Sequence, residues 1–319
     1  SLVLLKNDGI LPLRKEKLTK VAVIGPNADS RLSLVGNYYG TASQHVTVLE
    51  GVRKEFGDGV RILYSEGSHL YKDKVEGLAF ADDRLAEAKA CASHSDVTIL
   101  CLGLDETLEG EQGDTGNLSA SGDKLGLALP PCQQRLLEAV VSTGKPVIVV
   151  VLAGSALDLT YAHEHCAAVV QAWYPGALGG LAVAELLLGK FSPSGRLPVT
   201  FYSPENPLPD FEDYSMKDRP YRYLHEEPLY PFGYGLSYTK FAYEGIQMPE
   251  KIKAGESLDV TVRLKNEGDC EGAEIVQLYL SGRPGENQPI RSLCGFARVE
   301  LAPGEEREIT IRVPAAAML

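Results

Sequence analysis

Short apolar runs that alternate with segments of helical periodicity are the feature that most constrains the fold of the first two thirds of the chain. A run of this kind, bounded by turn residues, is typical of a strand buried on both faces of a sheet. Strands that alternate with helices indicate a mostly parallel sheet with helices packed against it. The predicted strands are residues 21–26, 61–64, 97–102, 147–153 and 168–173.

The segments between these strands carry the helical pattern. Leu85, Ala88 and Ala92 recur on one helical face, and Gly144 and Gly189 close two later patterns. Apolar residues at such spacing predict amphipathic helices, and a glycine just beyond the last periodic residue is a common stop signal. The predicted helices are residues 82–93, 133–142 and 178–188.

The pattern changes twice in the last third of the chain. Residues 193–238 are rich in Pro, Tyr and Asp with little periodicity, which predicts a long irregular connection. Beyond it, apolar and polar residues alternate in short strands separated by turns, as in a β-sandwich. Four or five strands are visible where a sandwich of about seven is expected, so the last strands are expected to be missing or atypical. The clearest strands are residues 257–264, 273–280, 293–301 and 307–313.

Composition excludes two classes of partner. The chain has 43 acidic and 31 basic residues, a formal net charge of -12 and a pI near 5.1. This balance leaves no basic patch for a phosphate backbone, so nucleic acid is not an expected partner. The longest apolar run, residues 147–153, is far shorter than the roughly 18 to 20 apolar residues of a membrane span. No membrane association is expected.

The cysteines and histidines show no metal-binding spacing. Six cysteines are scattered without a CxxC pair, which predicts free thiols that are mostly buried. Such usage favours the reducing cytoplasm over secretion, although the sequence opens at Ser1 and a removed signal peptide would not be visible. His163 and His165 have no third ligand at a suitable spacing, so no metal is expected.

One loop carries the candidate chemistry. Ligands of open α/β sheets bind beyond the carboxyl ends of the strands. The loop after the strand 97–102 stays polar and glycine-rich until Leu125, far longer than usual. Glu109 and Glu111 point the same way in an extended segment, and crowding of like charges would raise the pKa of one of them. A protonated carboxyl group suits general acid catalysis. A solvated acidic loop or a divalent-ion site is the alternative interpretation.

Several segments in a fixed order resemble those of a known family. They are SLVLLKNDGILPL (1–13), VIGPNA (23–28), GNYYG (36–40), AWYPG (172–176), PSGRLPVTF (193–201), YRY (221–223) and PLYPFGYGLSY (228–238). Together they resemble the C-terminal part of glycoside hydrolase family 3, the β-glucosidase and β-xylosidase family. The resemblance spans nearly the whole chain, and its last two segments are the most specific.

The resemblance implies a domain organisation. Family members have a (β/α)8 barrel, then an α/β sandwich domain and commonly a fibronectin type III-like domain, and this chain resembles the last two. The expected fold class is α/β: a mostly parallel α/β sandwich followed by an all-β fibronectin type III-like sandwich. The expected boundaries are 1–202 for the α/β domain, 203–238 for the connector and 239–319 for a truncated fibronectin type III-like domain.

The resemblance also implies a function. The chain is expected to serve a retaining, exo-acting β-glycosidase that needs no cofactor. Its expected partners are a β-linked oligosaccharide or glycoside and an N-terminal (β/α)8 barrel, with homo-oligomers possible through exposed edges of the fibronectin-like domain. The family's nucleophile is an Asp on that barrel, so none can be assigned here, and this chain alone is expected to be inactive. A non-catalytic carbohydrate-binding or scaffolding role is the alternative.

The family's general acid/base lies in a loop of pattern E-x-E-G-x-D-R. Ungapped alignment places Glu109, Glu111 and Asp114 at its acidic positions, with Glu111 as the expected acid/base and Glu109 as the second choice. The sequence departs from the pattern at Gln112 and Thr115. The pair Asp123-Lys124 could instead match the family's Asp-Arg after an insertion.

Aromatic rings that pack on the apolar face of a sugar are the other candidates for the site. Tyr38 and Tyr39 are expected to bind substrate together with Asp114, while packing under the connector remains open for the two tyrosines. Trp173 is expected to pack in the sheet rather than on sugar, and the tyrosines of residues 221–238 to anchor the connector. The loop looks somewhat closer to the xylosidase-like branch, but glucoside and xyloside both stay open.

Overall fold

The apolar runs form five strands of one six-stranded sheet in the computed structural model of this chain. The structure describes all residues except 37–39, 75, 111–123, 125, 207, 211, 283–287 and 319. The strands of this sheet are β1 (Val3–Asn7), β2 (Lys20–Ile24), β3 (Arg61–Ser65), β4 (Val97–Gly103), β5 (Val147–Leu152) and β6 (Ala168–Gln171). Their order is β1-β6-β5-β4-β2-β3, and only β1 pairs antiparallel among these described strands.

Burial explains why these residues form strands. Every residue of β4 and β5 is buried, and their Val, Ile and Leu side chains suit a sheet covered on both faces. Helices alternate with the strands along the chain. They are α1 (Leu32–Val35), α2 (Val48–Phe56), α3 (Leu85–Ser93), α4 (Pro131–Val141), α5 (Thr160–His165) and α6 (Gly179–Leu187). The α/β fold class predicted for this part of the chain is confirmed.

The edge strand β1 and the helices α1, α2 and α5 of this sheet domain were not predicted. The edge strand β1 has only a short apolar run before Lys6 and Asn7, and its antiparallel pairing with β6 is a tertiary effect. Helix α2 begins at a capping box, because Thr47 Oγ1 accepts from Glu50 N at 3.2 Å and Glu50 Oε2 accepts from Thr47 N at 2.8 Å. A threonine followed three residues later by glutamate is a start signal that sequence reasoning could have used.

Helices α2 and α6 pack with their backbones in contact. A Cβ added at Gly51 would lie 2.1 Å from the carbonyl oxygen of Gly180, and one added at Gly180 would lie 1.9 Å from the carbonyl oxygen of Thr47. No side chain fits between the two helices at this point. The position of α2 therefore depends on glycine at residues 51 and 180.

The second compact unit is Phe191–Leu319, after the first unit of Ser1–Lys190. It contains an antiparallel sheet of order β11-β8-β7 and an antiparallel pair β10-β9. Its elements are α7 (Pro220–Tyr223), β7 (Phe241–Gln247), β8 (Leu258–Asn266), β9 (Gly272–Leu280), β10 (Ser292–Leu301) and β11 (Glu306–Val313). This confirms an all-β sandwich-like part after the α/β part.

The core of these β-strands comes from alternate positions, as a half-buried strand requires. In β11, Ile309, Ile311 and Val313 are buried while the residues between them are exposed. Strand β7 was not predicted, because a bulge between Glu244 and Ile246 interrupts its register and most of it is exposed. The main cluster comprises Val262, Leu264, Val276, Val299, Leu301, Ile309 and Ile311.

The irregular segment before β7 is held by aromatic packing and one ion pair. Phe201 and Tyr230 are fully buried and pair as an isolated β-bridge. The ring of Tyr221 stacks on Phe232 at 4.2 Å. The guanidinium of Arg196, in the segment GRLP, pairs with a carboxylate of β9. These contacts fall within the second unit, whereas the domain boundaries predicted at 202 and 238 stay a prediction.

Membrane insertion of a helix has no support in the described part of the chain. None of its helices is long and apolar enough to cross a bilayer.

The close approach of α2 and α6 predicts that a side chain at residue 51 destabilises the fold. Gly51→Ala gains about 1 kcal/mol of helix propensity, but overpacking of a filled site costs about 1 to 3 kcal/mol. Since the new Cβ would lie 2.1 Å from a backbone oxygen that cannot rotate away, we expect a net loss in the free energy of unfolding. Urea unfolding of the 319-residue chain measures it.

Gly59→Ala is the matched control, because a Cβ at Gly59 meets nothing within 4 Å. Equal stability of Gly51→Ala and Gly59→Ala would contradict the contact.

Candidate active site

The carboxyl ends of β2, β4, β5 and β6 meet at one edge of the sheet because these strands are parallel. The chain places β3 on one side of β2 and β4 on the other, so the strand order reverses between β2 and β4. Ligands of open α/β sheets bind at such a reversal, outside the carboxyl ends of the strands. The loop that follows β4 therefore leaves the sheet where a site is expected.

A tight turn directs the first residues of this loop. Asp105 is buried, and its Oδ1 accepts from Thr107 N at 2.8 Å and from Thr107 Oγ1 at 2.6 Å. The carbonyl oxygen of Asp105 accepts from Glu109 N at 2.9 Å. An aspartate that bonds the backbone two residues on is a turn former. The turn fixes the direction in which Glu109 leaves the backbone.

Both carboxylate oxygens of Glu109 accept hydrogen bonds from other loops at this edge. Oε2 accepts from Gly154 N at 2.7 Å and from Tyr174 Oη at 2.6 Å. Oε1 accepts from Ser155 Oγ. Gly154 and Ser155 follow β5, and Tyr174 follows β6. One carboxylate thus connects the ends of three neighbouring strands.

The ring of Tyr174 is packed so that its hydroxyl reaches Glu109. Its ring packs on two glycines, since a Cβ added at Gly154 or at Gly36 would lie 2.9 Å or 3.0 Å from ring carbons. Burial, reinforced by the negative charge of Glu109, raises the pKa of the Tyr174 hydroxyl well above its usual range. The hydroxyl therefore keeps its proton and donates a hydrogen bond to the carboxylate.

The far end of the same loop meets the turn after β5 as well. Lys124 Nζ donates to the carbonyl oxygen of Ala156. Burial lowers the pKa of Lys124, and the nearby Glu109 carboxylate opposes this by raising it. Asp158 N donates to the carbonyl oxygen of Leu127 at 2.7 Å. The residues on either side of segment 111–123 are therefore bonded to residues 154–158.

A buried amide lies at the reversal point itself. Asn27, just beyond β2, is 1% exposed and its Nδ2 donates to the carbonyl oxygen of Leu104 at 3.0 Å. Its Oδ1 is buried without a hydrogen-bond partner among the described residues. Asn27 links the ends of β2 and β4. Asn27 belongs to the family-like segment VIGPNA, which is the signal in the sequence that points to it.

The predicted site residues divide into described and undescribed ones. Glu109 is described and lies at the carboxyl edge of the sheet. The other predicted acid and the predicted sugar-binding residues lie outside the described residues: Glu111, Asp114, Tyr38 and Tyr39.

Trp173 lies beyond the sheet rather than in a strand. The strand predicted over residues 168–173 ends at Gln171. Trp173 has a φ of 59°, and its Nε1 donates to the carbonyl oxygen of Ser1 at 3.2 Å. The predicted end of this strand at residue 173 is therefore wrong by two residues, because the chain turns before Trp173. That Trp173 packs against the sheet rather than on sugar stays a prediction.

Metal ligands do not cluster in the described part of the chain, where no group of three or more His, Cys, Asp or Glu could hold an ion. All six cysteines are described and unpaired, three of them buried and three half-buried.

Sequence comparison identifies the family. The profile of the Glycosyl hydrolase family 3 C-terminal domain matches residues 2–238. The chain belongs to glycoside hydrolase family 3. A fibronectin type III-like domain profile matches residues 274–318 of this family 3 chain. Both matches confirm the resemblance seen in the ordered segments.

Curated relatives include a periplasmic β-glucosidase of Salmonella typhimurium and a β-xylosidase of Formosa agariphila. Each is 33% identical to this family 3 chain over 98% of it. The solved structure of a β-glucosidase of Erythrobacter marinus is 34% identical and superposes with a TM-score of 0.81. The match covers 99% of this chain and 44% of the Erythrobacter protein. The chain spans about 43% of the length of the curated relatives it matches.

The hydrogen bond between Tyr174 and Glu109 is expected to contribute to stability in a pH-dependent way. Folding raises the pKa of the Tyr174 phenol above its value in the unfolded chain, near 10. The protonated phenol therefore stabilises the folded state fully below about pH 10, and this stabilisation is lost as the pH rises further. We expect Tyr174→Phe to lower the free energy of unfolding by about 1 to 2 kcal/mol at neutral pH. The difference in free energy of unfolding between wild type and Tyr174→Phe should shrink above about pH 10. Urea unfolding at a series of pH values measures it.

Tyr214→Phe, at a position 85% exposed, is the control for loss of a phenol hydroxyl and should change stability by less than about 0.5 kcal/mol. A gap between wild type and Tyr174→Phe that stays constant from neutral to strongly alkaline pH would refute the assignment.

Proposed function

We propose that this chain supplies the general acid/base to a retaining, exo-acting β-glycosidase that hydrolyses terminal β-linked sugars. Membership of glycoside hydrolase family 3 supports the reaction class. The relatives named β-glucosidase and β-xylosidase support the substrate class. The observation that carries the proposal is the position of Glu109, which starts a Glu-x-Glu segment at the carboxyl edge of the sheet.

In this proposal Glu111 is the acid/base. Glu111 protonates the leaving oxygen while the nucleophile attacks the anomeric carbon, and then removes a proton from the water that hydrolyses the glycosyl-enzyme. Retention needs two carboxyl groups about 5 to 5.5 Å apart. The nucleophile is an Asp of an N-terminal (β/α)8 barrel, a partner domain that this chain does not contain.

Tyr38, Tyr39 and Asp114 bind substrate in this proposal. The described neighbour of the two tyrosines, Gly36, contacts the ring of Tyr174, and Tyr174 donates to Glu109. The loop before residues 37–39 and the loop after β4 thus approach the same ring. That approach supports a shared role at one sugar site.

Leaving-group dependence tests the role of Glu111. We expect Glu111→Ala, in the natural protein that contains this chain, to lower kcat for a poorly activated aryl β-glycoside by about 100- to 10,000-fold, the usual size of a general-acid effect. An aryl leaving group that needs no proton should be spared. That leaving group spares only the first step, since hydrolysis of the glycosyl-enzyme still lacks its base. Azide should restore turnover of the activated substrate by replacing the water that Glu111 activates. Assays on aryl β-glucosides and β-xylosides measure both effects and the sugar preference.

Glu106→Ala is the matched control, because Glu106 is a half-exposed carboxylate three residues before Glu109 in the same loop. Equal loss on good and poor leaving groups in Glu111→Ala would contradict the acid/base role. Sugar binding by a wild-type natural protein that shows no turnover would instead favour a non-catalytic carbohydrate-binding role. The 319-residue chain alone should show no hydrolysis, since it lacks the nucleophile.

The reducing cytoplasm is the proposed compartment, supported by six cysteines that are all unpaired. The similar Salmonella protein is named periplasmic. Cell fractionation with an activity assay distinguishes the two compartments, and activity released by osmotic shock would overturn the proposal.

A further inference from the structure

We propose that Glu109 is a positioning residue, not the acid, and that it fixes the base of the catalytic loop through Gly154, Ser155 and Tyr174. This inference rests on the proposed function, because the loop that it positions is the one that carries Glu111. The family resemblance makes Glu109 the second candidate for the acid, and the contacts of its carboxylate give it a different role.

The first argument is the chemistry of the three partners. A backbone N–H can only donate, so Gly154 fixes Oε2 of Glu109 as an acceptor at 2.7 Å. The Tyr174 hydroxyl donates to the same oxygen at 2.6 Å, and the Ser155 hydroxyl donates to Oε1. Both oxygens of Glu109 are therefore occupied by donors within the protein. A general acid must instead present a proton to the oxygen of the leaving group.

The second argument is the fit of the backbone around this carboxylate. A Cβ added at Gly154 would lie 3.3 Å from Oε2 of Glu109 and 2.9 Å from the ring of Tyr174. Only a residue without a side chain lets the N–H, the carboxylate and the ring meet at this distance. The turn after β5 thus fixes the position of the Glu109 carboxylate.

The third argument is that the same turn holds the other end of the loop. Lys124 Nζ donates to Ala156, two residues after Gly154. Glu109 and Lys124, the described residues nearest to the two ends of segment 111–123 whose side chains are bonded here, therefore both contact residues 154–156. Glu111 follows Glu109 by two residues, so their Cα atoms are at most about 7 Å apart. A displacement of Glu109 would move the origin of the segment that carries the acid.

A comparison of Glu109→Gln with Glu109→Ala in the natural protein tests the proposal. Gln keeps an oxygen for Gly154 and Tyr174, and its amide nitrogen can donate to the Ser155 hydroxyl, which also accepts. We expect Glu109→Gln to retain kcat within about threefold of wild type. Glu109→Ala should lose roughly tenfold or more on good and poor leaving groups alike, because Ala keeps none of the bonds to Gly154, Tyr174 and Ser155.

An acid would behave in the opposite way. Glu109→Gln would then be as damaging as Glu109→Ala on the poor leaving group, would spare the activated one and would respond to azide. That result overturns the proposal. Glu111→Gln, assayed in parallel, should show this acid-like pattern and serves as the positive control.

A double-mutant cycle on the 319-residue chain tests the contact without catalysis. Glu109→Ala and Tyr174→Phe, alone and combined, should couple by roughly tenfold in the unfolding equilibrium constant, since they share one hydrogen bond to a charged group. Glu109→Ala combined with Tyr214→Phe, whose ring is 85% exposed, should show no coupling. Coupling of less than about twofold in the first cycle would overturn the contact.

The two proposals fail separately. A wild-type natural protein without glycosidase activity removes the proposed function, while the cycle still judges the contact of Glu109. Full activity with acid-like behaviour of Glu109→Gln keeps the function and removes the positioning role.

Discussion

The burial of β4 between β2 and β5 is the constraint on which the first unit depends. Every residue of β4 is buried, so its backbone groups pair with two neighbouring strands and its ends are fixed by their register. Parallel pairing sends the loops after β4, β5 and β6 to one edge. That edge is where Glu109 meets Gly154, Ser155 and Tyr174. The candidate site is therefore a consequence of strand order, not of any local motif.

Several backbone groups at this edge are paired by side chains rather than by neighbouring strands. The last carbonyls and amides of buried strands lose their ladder partners, and an unpaired buried group costs about 1 to 3 kcal/mol. Asn27 bonds the carbonyl oxygen of Leu104, and Glu109 bonds the amide of Gly154. Lys124 bonds the carbonyl oxygen of Ala156 and places a cation near Glu109. Side chains that close the sheet edge in this way also hold the loops that emerge from it.

The sequence predicted the fold better than the site. Strands β2, β4, β5 and β6 were predictable because burial on both faces makes each an apolar run, and the edge strand β3 keeps a short apolar run of its own. Strand β1 depends on pairing with the distant β6, and β7 is mostly exposed and interrupted by a bulge. Glu109 was predictable because it stands close to a second carboxylate in an unusually long loop. Tyr174 is 65 positions away, and the family-like segment AWYPG (172–176) contains it without indicating a partner. Only the sheet order brings Tyr174 to Glu109, so the local pattern could not predict their contact.

The contacts of Glu109 also explain how an acid could serve a nucleophile of another domain. A catalytic group must be held close to its productive geometry by neighbours that are themselves fixed. An acid placed directly on β4 would be rigid but confined to the edge of its own sheet. Glu109 and Lys124, the described residues on either side of segment 111–123, both bond to residues 154–156, which follow the buried strand β5. In the proposed enzyme, these bonds hold the residues that flank the segment carrying the acid.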